Sequence, residues 1–437
     1  MVPSITLLLV IGFVVVATTR WRLHPFLALI VGGVVYGLAN GLSVEATLSA
    51  LTGGLGRTVS GIGIVIASGC IIGGVLERTG AALVMANMAL RVVGAGRSIL
   101  AMAVTGSVVS VPVFCDSGYV VLSPLARSLA RRTKQSMVAM ASALSMGLYA
   151  THCLVPPTPG PVAAAGELQA DLGRVIGLGA LVMVPVVAMA WAYAAWAGRR
   201  WYIEPPAAQV AADEDEVKKL PGGLTAFAPV LLPVVLIAAR SFVGPGQSGV
   251  LDLVGDPNVA LLLGAFLALG LAREHGVEAL GDWTGEALRT AGSIVLITAA
   301  GGALGAVLRV TPLADQIGRM LAAYDLGIFN IVLPFLVAAG IKTAQGSSTV
   351  AIVTAASLVA PLLGSLGLDT PTALALTTLA IGAGAMTVSH VNDSYFWVVT
   401  QLSGFTVGQG YRVVTVASGL AGLTAITAVV LLRLVLG

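Results

Sequence analysis

Along most of the chain, apolar residues neither alternate with polar ones nor recur on one helical face; they run on. Near-continuous apolar stretches cover roughly residues 3–19, 23–40, 59–76, 98–126, 136–155, 173–198, 224–242, 258–272, 290–308, 327–363, 372–401 and 411–433. A helix that is apolar all round lies in a large core or a membrane, and about 20 such residues cross a bilayer. The pattern predicts an all-α, polytopic membrane protein. Two stretches between the runs are amphipathic, 77–97 with Arg78, Arg91 and Arg97, and 273–289 with Glu274, Glu278, Asp282 and Glu286. One long break is hydrophilic: 199–222 holds Asp213-Glu214-Asp215-Glu216 and then Lys218 and Lys219, between Pro205-Pro206 and Pro221-Gly222-Gly223. It predicts a cytoplasmic linker between an N-terminal half, 1–198, and a C-terminal half, 223–437.

The halves resemble one another. Ile64–Thr79 reads IVIASGCIIGGVLERT and Leu296–Thr311 reads LITAAGGALGAVLRVT, so that Gly73-Gly74-Val75-Leu76 falls opposite Gly305-Ala306-Val307-Leu308 and Thr79 opposite Thr311. Farther on, each half has a histidine at the end of an apolar run, His152 and His390. Placing the densest basic clusters (Arg20/Arg22, Arg127/Arg131/Arg132/Lys134, Arg199/Arg200 with Lys218/Lys219) in the cytoplasm puts the N-terminus outside and leaves about 16 of the 23 basic residues inside. It also makes 98–126 a re-entrant hairpin with its tip near Pro112–Gly118, and 327–363 a second one, entering from the other side, with its tip near Lys342–Thr349. Segment 59–76 then runs inward and 290–308 outward. Opposite insertion of two like halves is the pattern of an inverted-repeat secondary transporter.

Composition sharpens this. The chain is 57% hydrophobic and only 10% charged, where soluble proteins carry about 25% charge. A net charge of +3 spread over loops leaves no nucleic-acid footprint. Cys70, Cys115 and Cys153 sit in apolar surroundings without CxxC spacing, which predicts neither a disulfide framework nor a metal site. The first arginines follow the first apolar run, a signal-anchor order. None of the four lysines is preceded by glycine, so there is no Walker A motif, and no cofactor is expected. His24 and His275 lie beside charged loop residues and are expected to be solvated. The glycine pairs at 32–33, 53–54, 73–74 and 301–302 predict close helix packing. Trp191, Trp196, Trp201 and Tyr202 predict an interfacial anchor.

Four polar or helix-breaking segments interrupt apolar runs: Pro112–Gly118, His152–Pro161, Lys342–Thr349 and Ser389–Ser394. Irregular backbone at membrane depth persists only where protein or a cavity surrounds it. Each half therefore supplies one hairpin tip and one broken helix to a common midplane site. Half-helix N-termini suit a carboxylate, Ser117, Gln345, Ser347, Ser348, Thr349 and Asn392 suit a polyhydroxylated body, and Gly118, Thr158, Gly346 and Ser394 in the same segments are further substrate-binding candidates. Ionisable residues at this depth are candidates for coupling: Asp116, Asp393, His152 and His390. Asp116 and Asp393 are also good helix N-caps. Lys342 is expected to pair with a substrate carboxylate, with Asp116 or with Asp393.

The segments PVFCDSG (112–118), HCLVPPTPGPVAAA (152–165), KTAQGSSTVAIVTAA (342–356) and SHVNDSYFW (389–397) resemble the signature segments of the gluconate:proton symporter (GntP) family, in order along nearly the whole chain. The resemblance implies a bacterial or archaeal inner-membrane permease for small sugar-acid or hydroxy-acid anions, coupled to protons. Cys115 stands where an aromatic residue is expected, and Lys342 where arginine is commoner. The residues alone leave sodium open as the motive ion, and a carboxylate or D-amino acid as cargo. A homodimer is expected. A channel would need rings of charge, and an intramembrane enzyme a nucleophile or an HExxH-type cluster; neither pattern is present in the sequence.

Overall fold

The computed structural model describes residues 2–94, 97–206, 220–243, 249–312, 327–390 and 393–436. Every regular element among them is helical. The N-terminal half contains α1 (Val2–Thr19), α2 (Pro25–Ala39), α3 (Val44–Arg78), α4 (Ala81–Val93), α5 (Ser98–Val109), α6 (Cys115–Arg132), α7 (Met137–Leu154), α8 (Pro159–Leu168) and α9 (Leu172–Arg200). The C-terminal half contains α10 (Gly223–Val243), the short α11 (Gly249–Val254), α12 (Pro257–Leu271), α13 (Gly276–Arg309), α14 (Val332–Gln345), α15 (Ser348–Val359), α16 (Pro371–Met386) and α17 (Ser394–Leu402). The last helix starts at Val407–Gly410, passes a π turn at Tyr411–Thr415 and continues as α18 (Val416–Leu436). Six helical stretches among the described residues are long and apolar enough to cross a membrane.

Element order repeats between the halves. A 15-residue helix precedes a very long one in each: α2 then α3 (35 residues), and α12 then α13 (34 residues). Next comes a helical hairpin, α5/α6 or α14/α15, then an interrupted helix, α7/α8 or α16/α17, then a long closing helix. The packing repeats too: α2 lies on α13 as α12 lies on α3, α5 on α7 as α14 on α16, and α8 on α15 as α17 on α6. Corresponding helices cross antiparallel. Gly54 of α3 faces Gly302, Ala303 and Ala306 of α13, while Arg78 at the other end of α3 pairs with Glu286. Likewise Cys153 of α7 lies against Gly382 of α16, and the Tyr149 hydroxyl reaches the Ala385 carbonyl at 3.4 Å.

The long helices exceed their apolar runs. Ser43 caps α3 by accepting from the Ala46 amide at 3.1 Å, so the helix starts well before residue 59. The stretch 273–289, expected as a separate amphipathic segment, is mostly the first half of α13. Gly54 of α3 and Gly302 of α13 let the two backbones approach closely.

Burial separates scaffold from centre. Every residue of the most apolar window in Met137–Leu168 is buried, against 28% in Val407–Leu436 and in Gly223–Arg240. The interrupted helix α7/α8 is thus wrapped in protein, and α10 and α18 present apolar flanks outward. Trp196 and Trp201 meet edge to face at 5.2 Å between centroids, with the Arg412 guanidinium over Trp201. His24 and His275 are exposed, as their neighbours suggested; His24 accepts from the Phe26 amide and His275 lies against Trp283.

The α3–α13 crossing is the tightest test of this packing. A Cβ at Gly54 would sit 2.6 Å from both the Gly302 carbonyl oxygen and the Ala306 Cβ, and backbone cannot rotate away. Gly54→Val is expected to cost about 1–3 kcal/mol as overpacking, seen as a fall in Tm in detergent. Gly56→Ala, on the same helix with nothing within 4 Å, should leave Tm unchanged or slightly raised.

Candidate functional site

Four helix N-termini are created by the four interruptions. The first hairpin turns at residues 110–114, where Ser110 Oγ donates to the Val113 carbonyl at 3.2 Å, and α6 begins at Cys115. The tip expected at Pro112–Gly118 is therefore shifted: Asp116, Ser117 and Gly118 form the first turn of α6, and Phe114 holds the cap position. Acidic and small polar residues favour a first helical turn, so they mark the helix start and not the loop. Gly118 packs against the Leu148 side chain, whose Cδ2 lies 2.6 Å from where a Cβ would be. The second interruption is Val155–Thr158, after which Pro159 opens α8; Thr158 Oγ1 turns back to the Val155 carbonyl at 2.7 Å. The third is Gly346-Ser347: Gly346 adopts φ +93°, and Ser347 caps α15 through the Val350 amide. The fourth runs from Thr387 to Asp393, which caps α17 through the Tyr395 amide at 3.0 Å.

The caps differ between halves. Ser347 and Asp393 satisfy first-turn amides of α15 and α17, whereas neither Phe114 nor Thr158 offers a side-chain cap to α6 or α8. First-turn N–H groups have no intrahelical partner, and such groups bind anions.

Lys342 is fully buried in the last turn of α14. Its Nζ lies 2.6 Å from Asp393 Oδ2, donates also to the Gly346 carbonyl, and sits 5.8 Å from the centre of the Tyr149 ring. Ser389 Oγ donates to the same Asp393 oxygen. Of the three partners the sequence left open for Lys342, the geometry selects Asp393. Asp116 is differently placed. Its Oδ1 is buried without a hydrogen-bond partner. Asp116 lines a cavity of about 320 Å³ together with Phe114, Ser117, Glu77, Arg78, Glu286 and Thr290. Glu77 and Ser117 line the same cavity, and Arg78 is ion-paired with Glu286 across the mouth.

His152 is enclosed between the Phe114 and Tyr149 rings, at centroid distances of 6.0 and 6.5 Å, with Nδ1 unpartnered. His390 is not its structural equivalent. It lies in the unwound segment beyond α16, half-buried, with Nε2 2.9 Å from the Thr343 carbonyl. The reason is that α16 stops at Met386, after which Val388 adopts φ +55°, whereas α7 continues through His152 to Leu154. Ser348 is buried. Thr349 is half-buried near it in sequence. Gln345 ends α14, its side chain outside the described residues, as is Asn392 altogether.

Phe114, His152, Tyr149, Lys342, Asp393 and Ser389 thus form one connected group drawn from both halves, and Asp116 and Ser117 share a cavity wall with Phe114 at its edge. The sequence reading missed its centre, three tyrosines. Tyr149 and Tyr395 stand 5.1 Å apart and Tyr119 lies edge-on to Tyr395 at 6.3 Å; Tyr395 donates to the Ser145 carbonyl at 2.8 Å and Tyr119 shares a 2.6 Å bond with Ser403. Their signal was spacing: Tyr149 is one turn before His152, Tyr119 one turn after Asp116, and Tyr395 two residues after Asp393. Glu77, which lines the cavity with Ser117, was also missed because it ends an apolar run in the manner of any interfacial charge.

Comparison with known proteins fits this arrangement. Residues 2–435 match the model of the GntP family permease. An uncharacterized permease of Haemophilus influenzae is 34% identical, covering 98% of this chain and 92% of its own. A gluconate permease of Pseudomonas aeruginosa is 33% identical, covering 98% and 97%. The crystal structure of the YdaH transporter of Alcanivorax borkumensis, described as having an unusual topology, superposes with a TM-score of 0.68 at 15% identity over 94% of this chain and 97% of that one. At that identity the likeness speaks for the fold. The chain is a multi-pass membrane protein that belongs to the GntP family of permeases.

Proposed function

We propose that this permease takes up a small hydroxylated carboxylate of the gluconate type by proton symport with alternating access. The observation that carries the reading is Asp116: a carboxylate in the first turn of a half-helix, one oxygen buried and unpartnered, on the wall of a cavity. Lys342 is already consumed by Asp393 and is not free to neutralise an anion. A carboxylate beside an anionic substrate is disfavoured unless protonated, so proton and anion bind together or not at all. That is symport. The uncapped ends of α6 and α8 would take the substrate carboxylate, with Gly118 allowing close approach and His152 Nδ1 within the same enclosure. Hydroxyls of Ser117, Thr158, Ser347, Ser348, Thr349 and Ser394, the amide of Gln345 and that of Asn392 would meet the polyol body, with the Gly346 turn holding the second tip. The gluconate permease of P. aeruginosa supports the substrate class. Asp393 and His390 become positioning groups, since Asp393 both caps α17 and holds Lys342.

The halves 1–198 and 223–437, joined through 199–222, form inverted repeats in this reading, with the N-terminus outside. Antiparallel crossing of α3 with α13 and of α7 with α16 supports it, because a two-fold axis in the membrane plane reverses corresponding helices. Rocking of one half against the other would open the central group to each side in turn.

In proteoliposomes, labelled gluconate is expected to accumulate with a proton gradient and to stop accumulating when the gradient is collapsed, with sodium removal having no effect. Dependence on sodium alone would replace the proton by sodium, and competition by D-serine with no gluconate uptake would shift the cargo to amino acids. Asp116→Asn should retain substrate exchange yet lose proton-driven accumulation; undiminished accumulation with normal pH dependence would remove Asp116 from coupling. For the buried pair, Lys342→Met alone should destabilise by about 3–5 kcal/mol because it strands Asp393. The double variant Lys342→Met/Asp393→Asn keeps the α17 cap and should recover much of the lost Tm; a double variant no better than the single one would refute a structural ion pair.

A further inference from the structure

A second cavity, of about 180 Å³, lies at the other end of the α3–α13 pair, lined by Gly54, Arg57, Thr58, Gly302 and Arg309 with Glu167 of α8. At about 30 Å³ per water it holds some six waters, the scale of a small organic acid. The register of the two halves relates it to the cavity at Asp116. Aligning Gly73-Gly74-Val75-Leu76 with Gly305-Ala306-Val307-Leu308 puts Gly54 opposite Glu286, Thr58 opposite Thr290, Cys70 opposite Gly302 and Glu77 opposite Arg309. All eight of these residues line one cavity or the other. The α3 and α13 walls of the two cavities are one feature in two copies, at opposite ends of the crossing.

Their charges are reversed. The Asp116 cavity carries Asp116, Glu77 and Glu286 against Arg78. The other carries Arg57 and Arg309 against Glu167 alone. Glu167, with its side chain 6% exposed, holds one Arg309 nitrogen at 3.0 Å and meets Thr58 at 3.4 Å, which leaves the remaining guanidinium donors of Arg309 to the cavity. Arg57 is exposed and makes no ion pair among the described residues. A basic mouth concentrates anions and an acidic one disperses them.

We infer that the Arg57–Arg309 cavity is a carboxylate-capture subsite on the external side, where the anion docks before it reaches the central group. This rests on the transport reading above. It gives a function to two arginines that the positive-inside bias would otherwise leave on the wrong side: with 59–76 running inward, both lie outside. Glu167 orients Arg309, Arg57 supplies the uncompensated charge, and Thr58, whose O–H goes to Glu167, offers its oxygen as acceptor to a ligand hydroxyl. The acidic counterpart, where Glu77 and Ser117 line the cavity with Asp116, is then the inner mouth, from which the anion leaves and the proton is lost.

Arg57→Gln breaks no ion pair and should leave Tm unchanged. Initial-rate gluconate uptake by reconstituted R57Q is expected to show KM raised about tenfold with the maximal rate little altered, the scale of lost electrostatic steering, and with the salt dependence of KM reduced; Arg57→Lys should restore most of it. A fall in maximal rate or Tm without a change in KM would make the arginine structural and overturn the subsite. A binding-only assay separates this from the transport reading. The three native cysteines are buried, so in Arg57→Cys an anionic, membrane-impermeant thiol reagent added outside should react at one position, and gluconate should slow it. Labelling indifferent to gluconate, or possible only from inside, overturns the capture subsite even if uptake is intact. Failure of wild-type gluconate uptake with protection preserved would instead overturn the transport reading and leave the subsite standing.

Discussion

Backbone amides and carbonyls have no water to turn to inside hydrocarbon, and every one left without a partner costs several kcal/mol. That constraint organises this molecule. The chain breaks its helices at four places, and the break at 155–158 is enclosed by other helices on every residue. Residues 155–158 fall within Met137–Leu168, the most deeply buried stretch of all. The long crossing of α3 and α13, bare of side chains at Gly54 and Gly302, brings the scaffold close enough to enclose them. Close packing of glycine is thus the precondition for irregular backbone at the centre, and irregular backbone is the precondition for presenting helix ends to a ligand.

Charge at the centre obeys the same logic. Desolvating Lys342 completely would be prohibitive for a lone ammonium, and its partners answer each cost in turn: Asp393 balances the charge, the Gly346 carbonyl accepts from a second N–H, and the Tyr149 face makes a third contact. Because Lys342 belongs to the second hairpin and Asp393 to the second interrupted helix, the pair fixes tip and break of one half to each other. It reads as an internal rivet, and this is why a lysine at membrane depth need not be a substrate ligand.

Much of this was legible beforehand because hydrocarbon leaves few choices. Apolar length predicted the spans, and polar interruptions predicted the hairpins and broken helices. The errors have definite causes. Asp116, Ser117 and Gly118 were read as a tip, but residues that resemble a turn are also those that start a helix, and only the preceding Pro112 and Phe114 separate the two. The polar first halves of α3 and α13 were not counted as helix because a helix may leave the apolar slab without ending. His152 and His390 matched by order in the sequence, yet α16 terminates earlier than α7, so one ring is sealed and the other sits in open chain. Pairings such as Arg309 with Glu167, 142 residues apart, leave no local trace at all.

The departures from symmetry between the halves are more informative than the symmetry. In the C-terminal half both central helix ends are capped by their own side chains and Lys342 is matched by Asp393, so these central groups are occupied. In the N-terminal half the ends of α6 and α8 lack side-chain caps, Asp116 Oδ1 and His152 Nδ1 lack partners, and a cavity opens beside Asp116 and the start of α6. Unsatisfied buried polar groups are tolerated where something else satisfies them during function. One half therefore supplies a closed electrostatic frame and the other an open valence, and a single bound carboxylate with its proton would complete the second as Lys342 and Asp393 already complete the first.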